Sequence, residues 1–193
     1  MNQAETARGL SLQGRVALVT GSTSGIGLAI ARRFASAGAS IALHGFGDAG
    51  ELRRLEETLA GIAHQPVRHF GGDLSDADAI ERLIAEVEKE FGRIDVLVNN
   101  AGIQHVSPLE SFPPERWNAI LAVNLSAPFH TTRLVLPLMR RQGWGRIVNI
   151  ASVSGLVAAP FKAAYTASKH GLVGLTKVTA LETATTAITC NAI

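Results

Sequence analysis

The stretch Arg15-Val-Ala-Leu-Val-Thr-Gly-Ser-Thr-Ser-Gly-Ile-Gly27 governs how the rest of the chain is read. Its first half is an aliphatic, partly β-branched run suited to a buried strand, and its second half is a glycine turn. Leu28, Ile30, Ala31 and Phe34 then supply the apolar face of a helix, which Gly38 closes. Ser40-Ile-Ala-Leu-His44 repeats the buried-strand pattern. The segment is therefore a β-α-β unit, and such a unit needs a parallel pair joined by a right-handed crossover.

The alternation continues outward from this unit. Leu52, Leu55, Leu59 and Ile62 mark a second helix, and Pro66-Val-Arg-His-Phe70 a third strand closing on Gly71-Gly72-Asp73. Ile80, Leu83, Ile84, Val87 and Phe91 fall on one face of a third helix, with Asp76 and Asp78 at its start, where carboxylates suit the helix dipole. A fourth strand over residues 94–98 ends in Asn99-Asn-Ala-Gly102. After a loop holding Pro108, Pro113 and Pro114, the spacing predicts one long helix over residues 115–140, a fifth strand over 146–151 and a last helix over 163–181. Residues 187–191 open a sixth strand. The expected architecture is α/β, a Rossmann-like doubly wound parallel sheet with helices on both faces, truncated in the sixth strand. Residues 15–193 read as a single domain, and the polar residues 1–14, which lack the apolar core of a secretory signal, as a flexible leader.

Composition narrows the function classes. Of 193 residues, 47% are hydrophobic and 18% charged, a low charged fraction that leaves apolar surface for an interior or a subunit contact. The net charge is +2 with no basic run longer than two residues, so no nucleic-acid partner is expected. The most apolar stretch, residues 147–161, is interrupted by Asn149, Ser152, Ser154 and Pro160, so no membrane segment is expected either. Cys190 has no partner in the chain, which suits a reducing compartment, and the expected location is cytoplasmic. No His-Glu-x-x-His motif or Gly-x-Ser-x-Gly elbow occurs; neither a metal site nor a serine nucleophile is expected.

Ligands of doubly wound sheets bind at the carboxyl ends of the strands, and the candidate residues do follow strands. Gly21, Gly25 and Gly27 let a backbone approach a pyrophosphate, while the helix beginning near Ser24 offers unpaired N–H groups at its positive end. A tight turn with no ligand would use the same glycines. Tyr165 and Lys169 stand four apart on the last helix and so share a face. A phenol, with an unperturbed pKa near 10, is a weak base at neutral pH, and a neighbouring ammonium favours the phenolate. The pair alone would equally describe a solvated helix face. Ser152, at the end of the fifth strand, could reach the same place from the sheet.

Thr20-Gly-x-x-x-Gly-Ile-Gly27, Asn99-Asn-Ala-Gly102, Asn124, Ser152 and Tyr165-x-x-x-Lys169 together resemble the short-chain dehydrogenase/reductase family, over about residues 12 to 193. The resemblance implies hydride transfer between a nicotinamide and an alcohol or ketone. It makes Tyr165 the general base, lets Ser152 hydrogen-bond the substrate oxygen, has Lys169 stabilise the phenolate and bind the nicotinamide ribose, and gives Asn124 a water that links Lys169 to solvent. It implies a cofactor cradle of Gly21, Thr23, Ser24, Gly25, Ile26, Gly27, Phe46, Asp73, Leu74, Asn100, Ala101 and Gly102, closed by Tyr165 and Lys169. No Arg or Lys stands among Ser22, Thr23, Ser24 or residues 44–48 to meet a 2′-phosphate, which favours NAD over NADP, although His44-Gly-Phe46 occupies the place of the usual acidic residue.

A finer resemblance is to the branch of that family that interconverts (R)-3-hydroxybutyrate and acetoacetate. It rests on Gly45-Phe-Gly-Asp48, Asn99-Asn-Ala-Gly-Ile-Gln-His105, Asn124-Leu-Ser-Ala127 and Lys177-Val-Thr-Ala-Leu-Glu182. It implies a small hydroxy acid or keto acid as partner, its carboxylate held by Gln104 and by Lys162, the latter expected on an exposed loop. Ser154 stands where that branch has a substrate-binding His, which keeps open a different hydroxy acid or a neutral alcohol. The family fold is expected to continue beyond Ile193 with a lid and a final strand that assemble a homotetramer. The second reading is therefore a non-catalytic dinucleotide-binding fragment, and the two long helices suggest a helix-mediated dimer.

Overall fold

The structure is a computed structural model that describes residues 11–193. The leader expected over residues 1–14 falls largely on residues 1–10, outside the described residues, while the Leu12 N–H donates to Ala37 O at 2.8 Å. Six parallel strands form the sheet: β1 Val16–Val19, β2 Ser40–His44, β3 Val67–Phe70, β4 Val96–Asn99, β5 Gly145–Asn149 and β6 Ile188–Ala192. Their spatial order, β3-β2-β1-β4-β5-β6, reverses direction between β1 and β4, and that reversal opens a crevice at the carboxyl ends of those two strands. The Rossmann-like doubly wound sheet is as expected. β6 pairs with β5 over its whole length, from Ile188 opposite Gly145 to Ala192 opposite Asn149.

Helices α1 (Gly25–Ser36) and α2 (Ala49–Ala63) cover one face, and α3 (Ala77–Phe91), α5 (Ala127–Gln142) and α6 (Ala163–Glu182) lie on the other side. The strands are buried because their residues pack on both faces: Ala17, Val19, Ile41 and Leu43 meet Ala31, Ala35 and Leu59, while Leu18, Leu97 and Ile147 meet Ile80, Leu83, Val135 and Met139. Asp48 and Asp76 start α2 and α3 by accepting first-turn N–H groups, and Gly92 and Gly143 end α3 and α5 in the left-handed conformation.

The long helix expected over residues 115–140 is interrupted. It divides into α4 (Pro114–Leu121), a π turn over Ala122–Ser126, and α5. Pro128 has no N–H to donate back to Asn124, so the ladder loses a bond there and the chain widens by a residue. The wide turn rotates Asn124 out of the helical register.

Two polar devices lie within the apolar layers. Asp95, fully buried just before β4, accepts from Arg15 at 2.8 Å, from the Val16 N–H at 2.9 Å and from both Nε and Nη2 of Arg93 at 2.7 and 2.6 Å. Further along, Thr131 donates to Asn99, Asn99 to Asn149 and Asn149 to Thr176, at 2.7, 2.8 and 2.8 Å, tying α5 through β4 and β5 to α6. Cys190 of β6 lies beside this chain, and burial pushes its thiol up to about 11.

Burial alone would raise the pKa of Asp95, but the hydrogen bonds from Arg93, Val16 and Arg15 outweigh it and hold the carboxyl below the usual range. A depressed carboxyl stabilises the fold above its unfolded pKa of about 3.9 and loses that contribution as pH falls through its lower folded value. Asp95→Ala should cost about 3 kcal/mol and lower Tm by about 6 to 12 °C near neutral pH, with a shallower loss of Tm below about pH 4 than the unaltered chain shows. Thermal melts across pH check both.

Candidate active site

The crevice at the reversal is a cleft of about 510 Å³. Its floor and walls come from four strand ends: Gly21 and Thr23 to Ile26 after β1, His44 to Phe46 after β2, Gly72 to Leu74 after β3, and Asn100 to Ile103 after β4, with Val123 of the π turn at one side. The expected cradle residues Gly21, Thr23, Ser24, Gly25, Ile26, Phe46, Asp73, Leu74, Asn100, Ala101 and Gly102 all line it.

The three glycines of the turn have different duties. Gly21, at φ +62°, approaches Ala101 so closely that a Cβ would sit 3.0 Å from its Cα. Gly27 lies inside α1 with no room at all, since a Cβ would sit 2.3 Å from Gly21 O and 2.5 Å from Asn100 Nδ2. Gly25, at φ +56°, faces open space. Gly27 is thus a packing residue, and Gly25 is the one that leaves room for a ligand.

That room is fitted for an anion. Ser24 precedes α1 in an extended conformation with no side-chain cap, and no acidic residue stands in the first turn, so the leading N–H groups of α1 keep their donors for a visitor. Thr23 Oγ1 donates to Phe46 O at 3.0 Å and keeps the β2 end beside the turn. Asp73, its carboxyl lowered by the Ser75 backbone and side-chain hydrogen bonds, stands ionised at the far rim as an acceptor. A dinucleotide with its pyrophosphate at α1 and an adenine amino group at Asp73 fits these donors and acceptors.

The second cluster lies where β5 ends. Ser152 is extended and its Oγ accepts from the Ser154 N–H at 3.1 Å, starting a short turn over Val153–Gly155. That turn rests directly on α6: a Cβ on Gly155 would be 2.9 Å from Lys169 O. Lys169 is only 4% exposed, donates from Nζ to Ile150 O at 2.6 Å, and lies 5.6 Å from the Tyr165 ring centroid. Burial lowers its pKa. Tyr165 is half-buried on the same face, one turn earlier. The structure therefore packs the turn that begins at Ser152 against the helix that carries Tyr165 and Lys169, although among the described residues no hydrogen bond joins Ser152 to Tyr165.

Asn124 is drawn into the same cluster. Its Oδ1 accepts from the Ile103 N–H at 2.8 Å, and its Nδ2 donates to Ile103 O at 2.9 Å and to Ser168 Oγ at 3.3 Å. Ser168 in turn donates to Tyr165 O at 2.7 Å. Asn124 thus pins the loop after β4 to the helix carrying Tyr165 and Lys169. Ser168 carries no sequence signal of its own, and its part follows only from the π turn.

Gln104 is exposed, whereas Lys162 is half-buried at the start of α6 rather than on an exposed loop. The correction has a local cause: the Ser107 N–H donates to Phe161 O at 3.0 Å, folding the chain before Lys162 against the loop that carries Gln104. Ser154 is 6% exposed. His105 packs edge-on against Phe112, with ring centroids 5.5 Å apart. Sequence reasoning placed His44 only as an occupant of another residue's position, yet it is a buried member of the cleft wall.

These two clusters on a doubly wound sheet define a dinucleotide-dependent oxidoreductase fold. A sequence model of the short chain dehydrogenase family matches residues 15–193, and the chain belongs to that family. It is 57% identical over 182 residues to the D-beta-hydroxybutyrate dehydrogenase of Cupriavidus necator, covering 94% of this chain and 70% of that one. It is 52% identical over 179 residues to the enzyme of the same name from Rhizobium meliloti, covering 93% and 69%. Among solved structures, an NAD+-bound xylitol dehydrogenase superimposes with a TM-score of 0.87 at 35% identity, covering 94% of this chain and 69% of that one.

Because the Gly27 position is occupied on all sides, Gly27→Ala should destabilise the fold by about 2 kcal/mol and lower Tm by about 6 °C. A Tm unchanged to within a degree or so would show that the turn and helix repack without strain.

Proposed function

We propose that the chain is an NAD-dependent dehydrogenase that interconverts (R)-3-hydroxybutyrate and acetoacetate. The observation that carries the proposal is the cluster of Ser152, Tyr165 and Lys169 beside an anion-ready helix start. Its substrate assignment is supported by identity above one half to a D-beta-hydroxybutyrate dehydrogenase. Residues 15–193 serve as one domain that binds the dinucleotide and holds the catalytic residues.

Bound NAD supplies the hydride acceptor. Gly21, Thr23, Ser24, Gly25 and Ile26 hold the pyrophosphate end, with Gly27 packed behind them, Asp73 and Leu74 the adenine, and Asn100, Ala101 and Gly102 the middle of the cleft. The absence of Lys and Arg at residues 22–24 and 44–48 leaves a 2′-phosphate uncompensated, which favours NAD over NADP. In the oxidising direction Tyr165 takes the hydroxyl proton while Ser152 donates a hydrogen bond to the substrate oxygen. Lys169, held at Ile150 O, stabilises the phenolate and binds the nicotinamide ribose. Asn124, anchored at Ile103, holds the way from Lys169 towards solvent by which the proton leaves.

Gln104 and Lys162 stand on segments joined by the Ser107–Phe161 backbone bond and suit a substrate carboxylate: one brings a neutral donor and the other a cation. Ser154 supplies no charge where the related branch has His, which supports, as a second reading, a different hydroxy acid or a neutral secondary alcohol. No helix among the described residues is long and apolar enough to cross a membrane. The single Cys190, with no disulfide partner in the chain, supports a cytoplasmic location. Phe129, Val178 and Leu181 are exposed on α5 and α6, and they support a homo-oligomer joined through those helices.

The test is NADH formation with (R)-3-hydroxybutyrate. The unaltered chain should turn over, and Tyr165→Phe should lower kcat by about a hundredfold or more with the NAD affinity retained. Equal turnover by the two would remove Tyr165 as the base. Ser154→His should lower KM for the hydroxy acid; an effect only on neutral alcohols would favour the second reading.

A further inference from the structure

We infer that His44 is a positioning residue for the cofactor, a neutral brace that holds the glycine turn in register with the end of β3. The inference rests on the cofactor reading above and deepens it. His44 is 3% exposed, and both of its ring nitrogens are engaged: Nδ1 faces the Gly21 N–H at 3.4 Å and Nε2 faces Gly72 O at 3.1 Å. A backbone N–H can only donate and a carbonyl can only accept. The two contacts therefore specify one tautomer, with the proton on Nε2 and a lone pair on Nδ1.

The backbone of His44 is tied to the same turn. Its N–H donates to Ser22 Oγ at 3.0 Å, and its carbonyl accepts from the Ser22 N–H at 2.7 Å. His44 thus joins three of the four segments that line the cleft: the turn carrying Gly21, its own strand end, and the Gly72 to Leu74 corner that positions Asp73. Gly72 has φ +133°, a conformation that favours glycine, so that corner depends on external ties for its place. A second histidine reinforces the arrangement one residue on, where His69 Nε2 meets Gly45 O at 2.7 Å.

Protonation would put a hydrogen on Nδ1 facing the Gly21 N–H, and the brace would become a repulsion at the turn that receives the pyrophosphate. The titratable neighbours are His69 of β3, Asp73 beyond it, Asp48 after the β2 turn, and Glu56 of α2, which accepts from the His69 N–H. Burial is the largest influence and lowers the pKa of His44; its bond to Gly72 acts in the opposite sense, and the charge of His69 adds a smaller lowering. The folded value lies below the unfolded one, so the brace is intact above about pH 6.5 and fails as pH falls through the lowered value. Only the neutral fraction then binds well, and the apparent Kd rises in inverse proportion to it.

The experiment measures NAD Kd by titration of the unaltered chain, His44→Asn and His69→Gln between about pH 7.5 and pH 5.0. The unaltered chain should show a rise in Kd of about threefold or more toward acid. His44→Asn keeps an acceptor near Gly21, cannot reach Gly72 and does not titrate, so its Kd should be raised at neutral pH but flat across the range. His69→Gln should retain the acid-side rise. The inference is overturned by an equal acid-side rise in His44→Asn, or by loss of that rise in His69→Gln. If the unaltered chain binds no NAD at any pH, the cofactor reading falls, and melting of the unliganded proteins decides the brace. The unaltered chain should then lose more Tm over the interval than His44→Asn, and equal losses overturn it.

Discussion

At the carboxyl end of β1, Thr20 and Asn100 hold each other's backbones. Thr20 Oγ1 accepts from the N–H groups of Asn100 and Ala101 at 3.0 and 3.1 Å, and Asn100 Nδ2 donates to Thr20 O and Gly21 O at 2.9 and 3.0 Å. These bonds lie where the strand order reverses, and where the two chains leaving β1 and β4 must part to make room for a ligand. Strands that part expose backbone donors and acceptors that the ladder no longer uses, and a buried unpaired group costs about 1 to 3 kcal/mol. The clamp satisfies those groups at the mouth of the crevice. It also contributes to keeping Gly21 and Gly27 bare, for a side chain at Gly21 would meet Ala101 and one at Gly27 the Gly21 carbonyl, with the Asn100 amide close to both.

Beneath the mouth, the sheet trades apolar uniformity for fixed register. A parallel strand buried on both faces has little but its ladder to set its alignment. Asn99 and Asn149, opposite one another on β4 and β5, bond directly and extend through Thr131 and Thr176 to the helices. A slip of one residue would leave two amides unsatisfied in the core. Register is set in this way at the layer immediately below Ser152 and Asn100, so the two clusters keep their relative height. Asp95 performs the corresponding service at the opposite end of β4.

Much of this was legible in the sequence because strands and helices here carry opposite signatures: short aliphatic runs such as residues 16–19, and 3.6-residue spacing such as Ile80, Leu83, Ile84 and Val87. The glycine turn was legible as a ligand site, but the separate duties of Gly25 and Gly27 were not, since they depend on where Asn100 reaches from a strand eighty residues away. The π turn was hidden for a similar reason. Apolar periodicity runs through residues 115–140 without a break, and the deciding facts are a missing N–H at Pro128 and the bond between Asn124 and Ile103. Lys162 illustrates the same limit: a contact between the Ser107 and Phe161 backbones, invisible to any local pattern, sets its burial.

Cys190 gives the molecule a built-in reporter. It is the chain's single thiol, enclosed between β5 and α6, and with its ionisation pushed up to about 11 it is almost wholly in the unreactive protonated form at neutral pH. Alkylating reagents therefore reach a competent thiolate only when β6 separates from its neighbours. The rate at which the native protein is labelled reads the opening of that edge of the sheet, on a timescale set by local unfolding rather than by thiol chemistry.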